Sequence, residues 1–121
     1  MSENQCVLAC VTAQKNCARL IHRGCELAKA AKVPLRVLHV NQTGAETAHP
    51  DTPEILNELF SLAHECKADM DILYEPNVAA AIARYAQESG AITLVLGPDR
   101  SGNAGKVRSL LPQEIEIVNI P

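Results

Sequence analysis

Residues 5–11 carry an apolar run (CVLACV), short enough for a strand buried on both faces, which gives way to polar residues 12–16. The period then changes. Cys17, Leu20, Ile21, Gly24, Leu27, Ala28 and Ala31 recur at helical spacing with Arg19, Arg23, Glu26 and Lys29 on the opposite side, which predicts an amphipathic helix. Val33-Pro34 stops it, because proline disfavours helical geometry in the residue before it. Residues 35–40 (LRVLHV) read as a second strand, followed by a long polar loop over 41–51. Thr52 is placed to cap the next helix, with Pro53 at its first position and Glu54 at the positive end of the dipole. Ile55, Leu56, Leu59, Ala63 and Cys66 form its apolar stripe. Residues 70–74 (MDILY) predict a third strand. Asn77 caps a third helix, with Val78, Ala81, Ile82 and Tyr85 inward and Gly90 as its stop. Residues 92–96 (ITLVL) are a fourth strand, 97–105 a glycine-rich loop, 106–111 a short helix, and 114–120 (EIEIVNI) a fifth strand.

Strands alternating with helices define βαβ units, whose right-handed crossovers produce a mostly parallel sheet covered on both faces. The expected class is therefore α/β, in three layers. In open sheets of this kind a ligand sits beyond the carboxyl ends of the strands, where the strand order reverses. That rule directs attention to residues 12–16, 40–42 and 97–106.

Composition narrows the partners. At 121 residues the chain is expected to be one domain, residues 1–121, since domains run to roughly 100 to 200 residues. Apolar residues make up 47%, yet Phe60, Tyr74 and Tyr85 are the only aromatics, so the core must be aliphatic. The formal charge of −3 and the absence of Trp argue against a nucleic-acid partner, which demands a basic excess and stacking rings. No stretch approaches the 18 or so apolar residues of a membrane span, and the N-terminus lacks a signal-like pattern, so the expected location is the cytosol. Five cysteines, an odd number without a C-x-x-C, sit in apolar segments and read as reduced core residues. Cys6 and Cys10 face one side of their strand but are too far apart to bridge, at about 3.3 Å rise per residue. His22, Cys25 and Glu26 share a helix face, but without a second ligand cluster the surface-helix reading is preferred over a metal.

The loop GPDRSGNAGK brings Gly97, Gly102 and Gly105 together with Arg100, Lys106 and Arg108, after a buried strand and before a helix. Glycines that turn backbone N–H groups outward, a helix N-terminus and basic side chains all favour an anion. A surface loop with ordinary turns is the alternative. The spacing is no P-loop, because Asn103 stands where its lysine belongs and Val107 follows Lys106. Ser101 and Ser109 have no adjacent histidine, Asp99 is a single carboxylate, and His39 reads as a packed or edge residue. No catalytic constellation results.

The order of elements, with VLACVTAQKNCARLIHRGCELAKAAKVPLRVLHV, AIARYAQESGAITLVLG and the RSG of residues 100–102, resembles the universal stress protein family across essentially the whole chain. Within it, the C-V-T start, L-I-H-R and the run from Ala81 to Gly97 look most like the universal-stress-type domain of KdpD-type potassium-sensing histidine kinases. The resemblance implies a five-stranded parallel sheet in the order 3-2-1-4-5, an ATP-type or other adenine nucleotide, Mg2+ where ATP binds, and a homodimer. Nucleotide-binding members carry an Asp at the end of the first strand and G-x-x-G, nine residues, then G-S or G-T after the fourth. Here Thr12 replaces the Asp, Arg100 replaces the second glycine, and counting on reaches Leu110 and Leu111. A gapped alignment puts Gly105-Lys106 at the G-S position. The 17 residues 97–113 are enough for a parallel crossover with a shortened last helix.

Two functions follow as expectations. In the first, the chain is a small regulatory module whose nucleotide site comprises Thr12, Val40, Gly97, Arg100, Ser101, Gly102, Gly105 and Lys106. Lys106 would give phosphate charge, Gly102 and Gly105 backbone donors, and Thr12 a base or ribose contact. In the second, it is a ligand-free interaction module, a homodimer or a docking partner for a signalling protein. Ile115, Ile117, Val118 and Ile120 make its last strand apolar on both faces, and an exposed edge of that kind is normally paired. An ATP hydrolase is the third and least supported class.

Overall fold

The computed structural model describes residues 5–11, 18–42, 52–97 and 103–120. Five strands, β1 (Cys6–Val11), β2 (Leu35–Gln42), β3 (Asp69–Glu75), β4 (Ala91–Leu96) and β5 (Glu116–Asn119), alternate with four helices, α1 (Ala18–Ala31), α2 (Thr52–Glu65), α3 (Val78–Ser89) and α4 (Asn103–Leu110). The strands form one parallel sheet in the order β3-β2-β1-β4-β5, as the sequence resemblance implied.

Strand β1 is central, and its alternation explains its unbroken apolar run. Val7, Ala9 and Val11 point to one face, where they join Val37 of β2 and Val95 of β4 under Leu20, Ile21 and Ala28 of α1 and Leu59 and Ala63 of α2. Cys6 and Leu8 point to the other, with Leu38 and Leu94 beneath Ala79, Ile82 and Ala86 of α3 and Val107 of α4. Helices α1 and α2 thus cover one face, and α3 and α4 the other. Helix α1 packs so closely that a Cβ on Gly24 would stand 2.8 Å from Leu35 Cδ1 and 3.4 Å from Ala9 Cβ, so the glycine sets the depth at which α1 seats.

The helix ends follow local chemistry. Asn77 accepts a hydrogen bond from the Ala80 N–H at 3.1 Å, and Gly90 closes α3 at φ 76°. Lys32 after α1 and Lys67 after α2 make the equivalent left-handed turns, at φ 60° and 56°. Their neighbours complete the caps, Val33 donating to the Ala28 carbonyl at 3.0 Å and Ala68 to that of Ala63 at 2.8 Å.

Several boundaries differ from the sequence pattern. Thr52 is the first helical residue of α2 rather than its cap. Ala31 is exposed at the end of α1, where the helix has run past the sheet. Helix α4 begins at Asn103, so Gly105 and Lys106 belong to its first turn and not to a preceding loop. Strand β5 is cut to Glu116–Asn119, because residues 113–115 form a turn instead of pairing with β4.

Candidate functional site

Strands β1 and β4 are neighbours, yet α1 leaves β1 over one face while α3 enters β4 from the other. Their carboxyl ends therefore flank the switch point at which a crevice opens in a doubly wound sheet. Val11 ends β1, and Gly97 follows β4. Gly97 is seated against α1, since a Cβ there would stand 3.0 Å from Leu20 Cδ1. A side chain there would press on the tip of Leu20, near the start of α1, which would have to give by a few tenths of an ångström.

Val40, near the end of β2, is half-buried on the α3 side of the sheet, in the same core as Cys10. Burial pushes the Cys10 thiol up, so it is a neutral apolar neighbour of the site and no nucleophile. Gly105 and Lys106 are both exposed on the first turn of α4, the helix that follows β4, and among the described residues nothing outside the helix's own turn lies within 4 Å of where a Gly105 Cβ would stand. The first turn of a helix has backbone N–H groups without intrahelical partners. The fold thus gathers Val40, Gly97 and the Gly105-Lys106 turn at the carboxyl side of the sheet. Thr12, Arg100, Ser101 and Gly102 lie outside the described residues.

His39 completes the strand ends from beneath. It is 3% exposed, opposite Val11 in the β1–β2 register, and its Nδ1 is 3.0 Å from the Val11 carbonyl oxygen. An Nδ1–H donor there fixes the carbonyl at the point where β1 leaves the sheet. Sequence reasoning saw a packed or edge histidine and missed that bond, since it depends on the register between two strands.

In and beside β5, Ile115 and Ile117 pack into the α3/α4 core and Ile120 into the α1/α2 core, while Val118 is half-buried. The chain's own helices thus account for much of the two-faced apolar pattern. The Ile120 N–H bonds the Leu96 carbonyl at 2.8 Å, so by strand alternation the N–H groups of Ile117 and Asn119 point to the outer edge. Among the described residues no three His, Cys, Asp or Glu side chains come together to hold a metal, and no helix is long and apolar enough to cross a membrane.

The architecture is that of the universal stress proteins of known structure. The universal stress protein from Archaeoglobus fulgidus in complex with dAMP matches with a TM-score of 0.74 and 21% identity, over 100% of both chains. A universal stress protein in complex with cAMP matches with a TM-score of 0.70 and 18% identity, over 96% of this chain and 95% of that one. A protein of the family from Burkholderia pseudomallei gives 0.65 and 16%, over 95% and 94%. At these identities the likeness establishes a shared fold. No protein-family model and no curated protein sequence matches the chain.

Proposed function

We propose that the chain is a small universal-stress-type regulatory module that binds an adenine nucleotide beyond the carboxyl ends of β1 and β4. The observation that carries this reading is the exposed Gly105-Lys106 pair in the first turn of α4, the helix that follows β4, in a fold whose solved examples include dAMP and cAMP complexes. In the proposed site, Lys106 and the backbone of Gly102 and Gly105 meet phosphate, with Arg100 and Ser101 beside them. Gly97 lets the chain turn at the mouth, and Thr12 and the Val40 backbone meet the base or ribose. A nucleoside monophosphate suits this shortened apparatus better than ATP with Mg2+, because two basic side chains and one helix turn supply little charge for a triphosphate. The module works in the cytosol in this reading, and it is similar to the universal-stress-type domain of KdpD-type kinases. Titration calorimetry with AMP, cAMP and ATP with Mg2+ tests it, with saturable heat from AMP as the expected result. Silence of all three at millimolar ligand overturns it.

A second reading rests on β5, whose outward N–H groups at Ile117 and Asn119 offer an edge to a second copy. In it, two chains pair antiparallel through β5, around Ile115, Ile117, Val118 and Ile120, and the dimer docks a signalling protein without needing nucleotide. Sedimentation at micromolar concentration tests it. A monomer overturns it.

A further inference from the structure

The two edges of the sheet differ in length and chemistry. Strand β5 has four residues, whereas β3 has seven, each in register with a residue of β2 on its inner side. Among the described residues no strand pairs with the outer side of β3, so the main-chain N–H and C=O groups that do not meet β2 face outward there. The side chains of β3 sort by face. Met70 packs against the α1/α2 core, so by alternation Ile72 and Tyr74 stand on that side too. Met70 and Ile72 are half-buried, and Tyr74, at 65% exposure, is the most exposed aromatic residue of the chain. Asp69, Asp71 and Glu75 occupy the other face, where Asp71 accepts from Tyr85 of α3 and Glu75 pairs with Arg84 of α3 at 3.5 Å. Helix α3 thus holds two of the three carboxylates along the open edge.

We propose that the outer edge of β3 binds an extended segment of a partner protein in which basic and apolar side chains alternate. The segment joins the sheet as a further strand. Its main chain pairs with the outward groups of β3, its basic side chains meet Asp69, Asp71 and Glu75, and its apolar side chains lie beside Met70, Ile72 and Tyr74. A second copy of this chain does not fit the same edge. Antiparallel pairing of β3 with itself about a two-fold axis keeps like faces together, which sets carboxylates against carboxylates. A segment apolar on both faces would cover the acidic row without giving it a partner. The same row, on a chain of net charge −3, repels nucleic acid. Because β3 and β5 lie at opposite ends of the strand order, the segment leaves β5 open and needs no nucleotide.

The test is fluorescence anisotropy of the full chain with a short synthetic peptide of alternating lysine and valine, beside a peptide of the same composition whose lysines and valines stand in two blocks, at physiological salt. Hydrogen exchange then locates the bound peptide. The expected result is saturable binding of the alternating peptide, about tenfold weaker binding of the blocked one, and new amide protection within residues 69–75. Asp69→Lys and Tyr74→Ser, both at exposed positions, should each weaken the alternating peptide about tenfold with an unchanged circular dichroism spectrum. The proposal is wrong if the alternating peptide does not saturate at millimolar concentration, if both peptides bind alike, if protection falls on β5 instead, or if folded Asp69→Lys and Tyr74→Ser bind as the unsubstituted chain does.

Discussion

Tyr85 donates its hydroxyl hydrogen to Asp71, and so ties α3 to the edge strand β3. The same oxygen accepts from Arg36 of β2 at 3.4 Å, which makes one phenol the junction of a helix and two strands. Removing it with Tyr85→Phe should lower stability by about 1 kcal/mol, the usual worth of a partly exposed hydrogen bond, in urea denaturation at neutral pH. The pH dependence has a definite sign. Burial first, and Asp71 second, push Tyr85 up from 10 to about 12 in the folded state. Its contribution is therefore complete below the unfolded value and lost as pH rises through the folded one. The gap between the wild type and Tyr85→Phe should close across that window.

His39→Leu leaves the Val11 carbonyl without its imidazole donor and should cost about 1 to 3 kcal/mol in the same assay. Because Val11 is the last residue before the proposed base-binding segment, the variant should also weaken AMP binding. His39→Asn, which keeps an N–H donor, should recover part of both losses.

Gly105 lies in α4 with nothing near its Cβ position, so Gly105→Ala should raise stability by about 0.5 to 1 kcal/mol through helix propensity. If phosphate approaches that backbone as proposed, the same change should weaken AMP in calorimetry. Lys106→Glu, at an exposed position, should reduce AMP affinity about tenfold, or about 1.4 kcal/mol, and leave the melting temperature nearly unchanged.

Asn119→Pro removes an outward N–H without touching the bonds of β5 to β4, a placement that proline tolerates on an edge strand. If two chains pair through β5, sedimentation should show the variant as a monomer with an unchanged circular dichroism spectrum.

Much of the architecture was legible because its signals are local. The unbroken apolar run of β1, the Asn77 cap, the Gly90 stop and the aliphatic stripes of α1 and α3 each act within a few residues. The limits of α4 and β5 were harder. A glycine counts against a helix in propensity, so Gly105 read as loop, yet burial of Val107 under the sheet outweighs that cost. Alternating Ile residues read as strand to both ends of β5, yet pairing stops at its carboxyl end where the partner β4 stops and at its amino end where residues 113–115 turn. The meeting of His39 with Val11 depends on how separate elements dock, which no single segment announces. The places of Val40 near the end of β2 and of Gly97 after β4 were legible from the strand runs alone.

The left-handed lysines at the ends of α1 and α2 have a consequence for how this sequence can change. A side chain in that conformation costs about 1 kcal/mol where glycine, as at the end of α3, costs little. Lys32→Gly and Lys67→Gly should therefore each raise the melting temperature. Two single substitutions, both far from the switch point, are in reserve to compensate a damaging change in the site itself, so the crevice is freer to diversify than the narrow stability margin of a small domain implies.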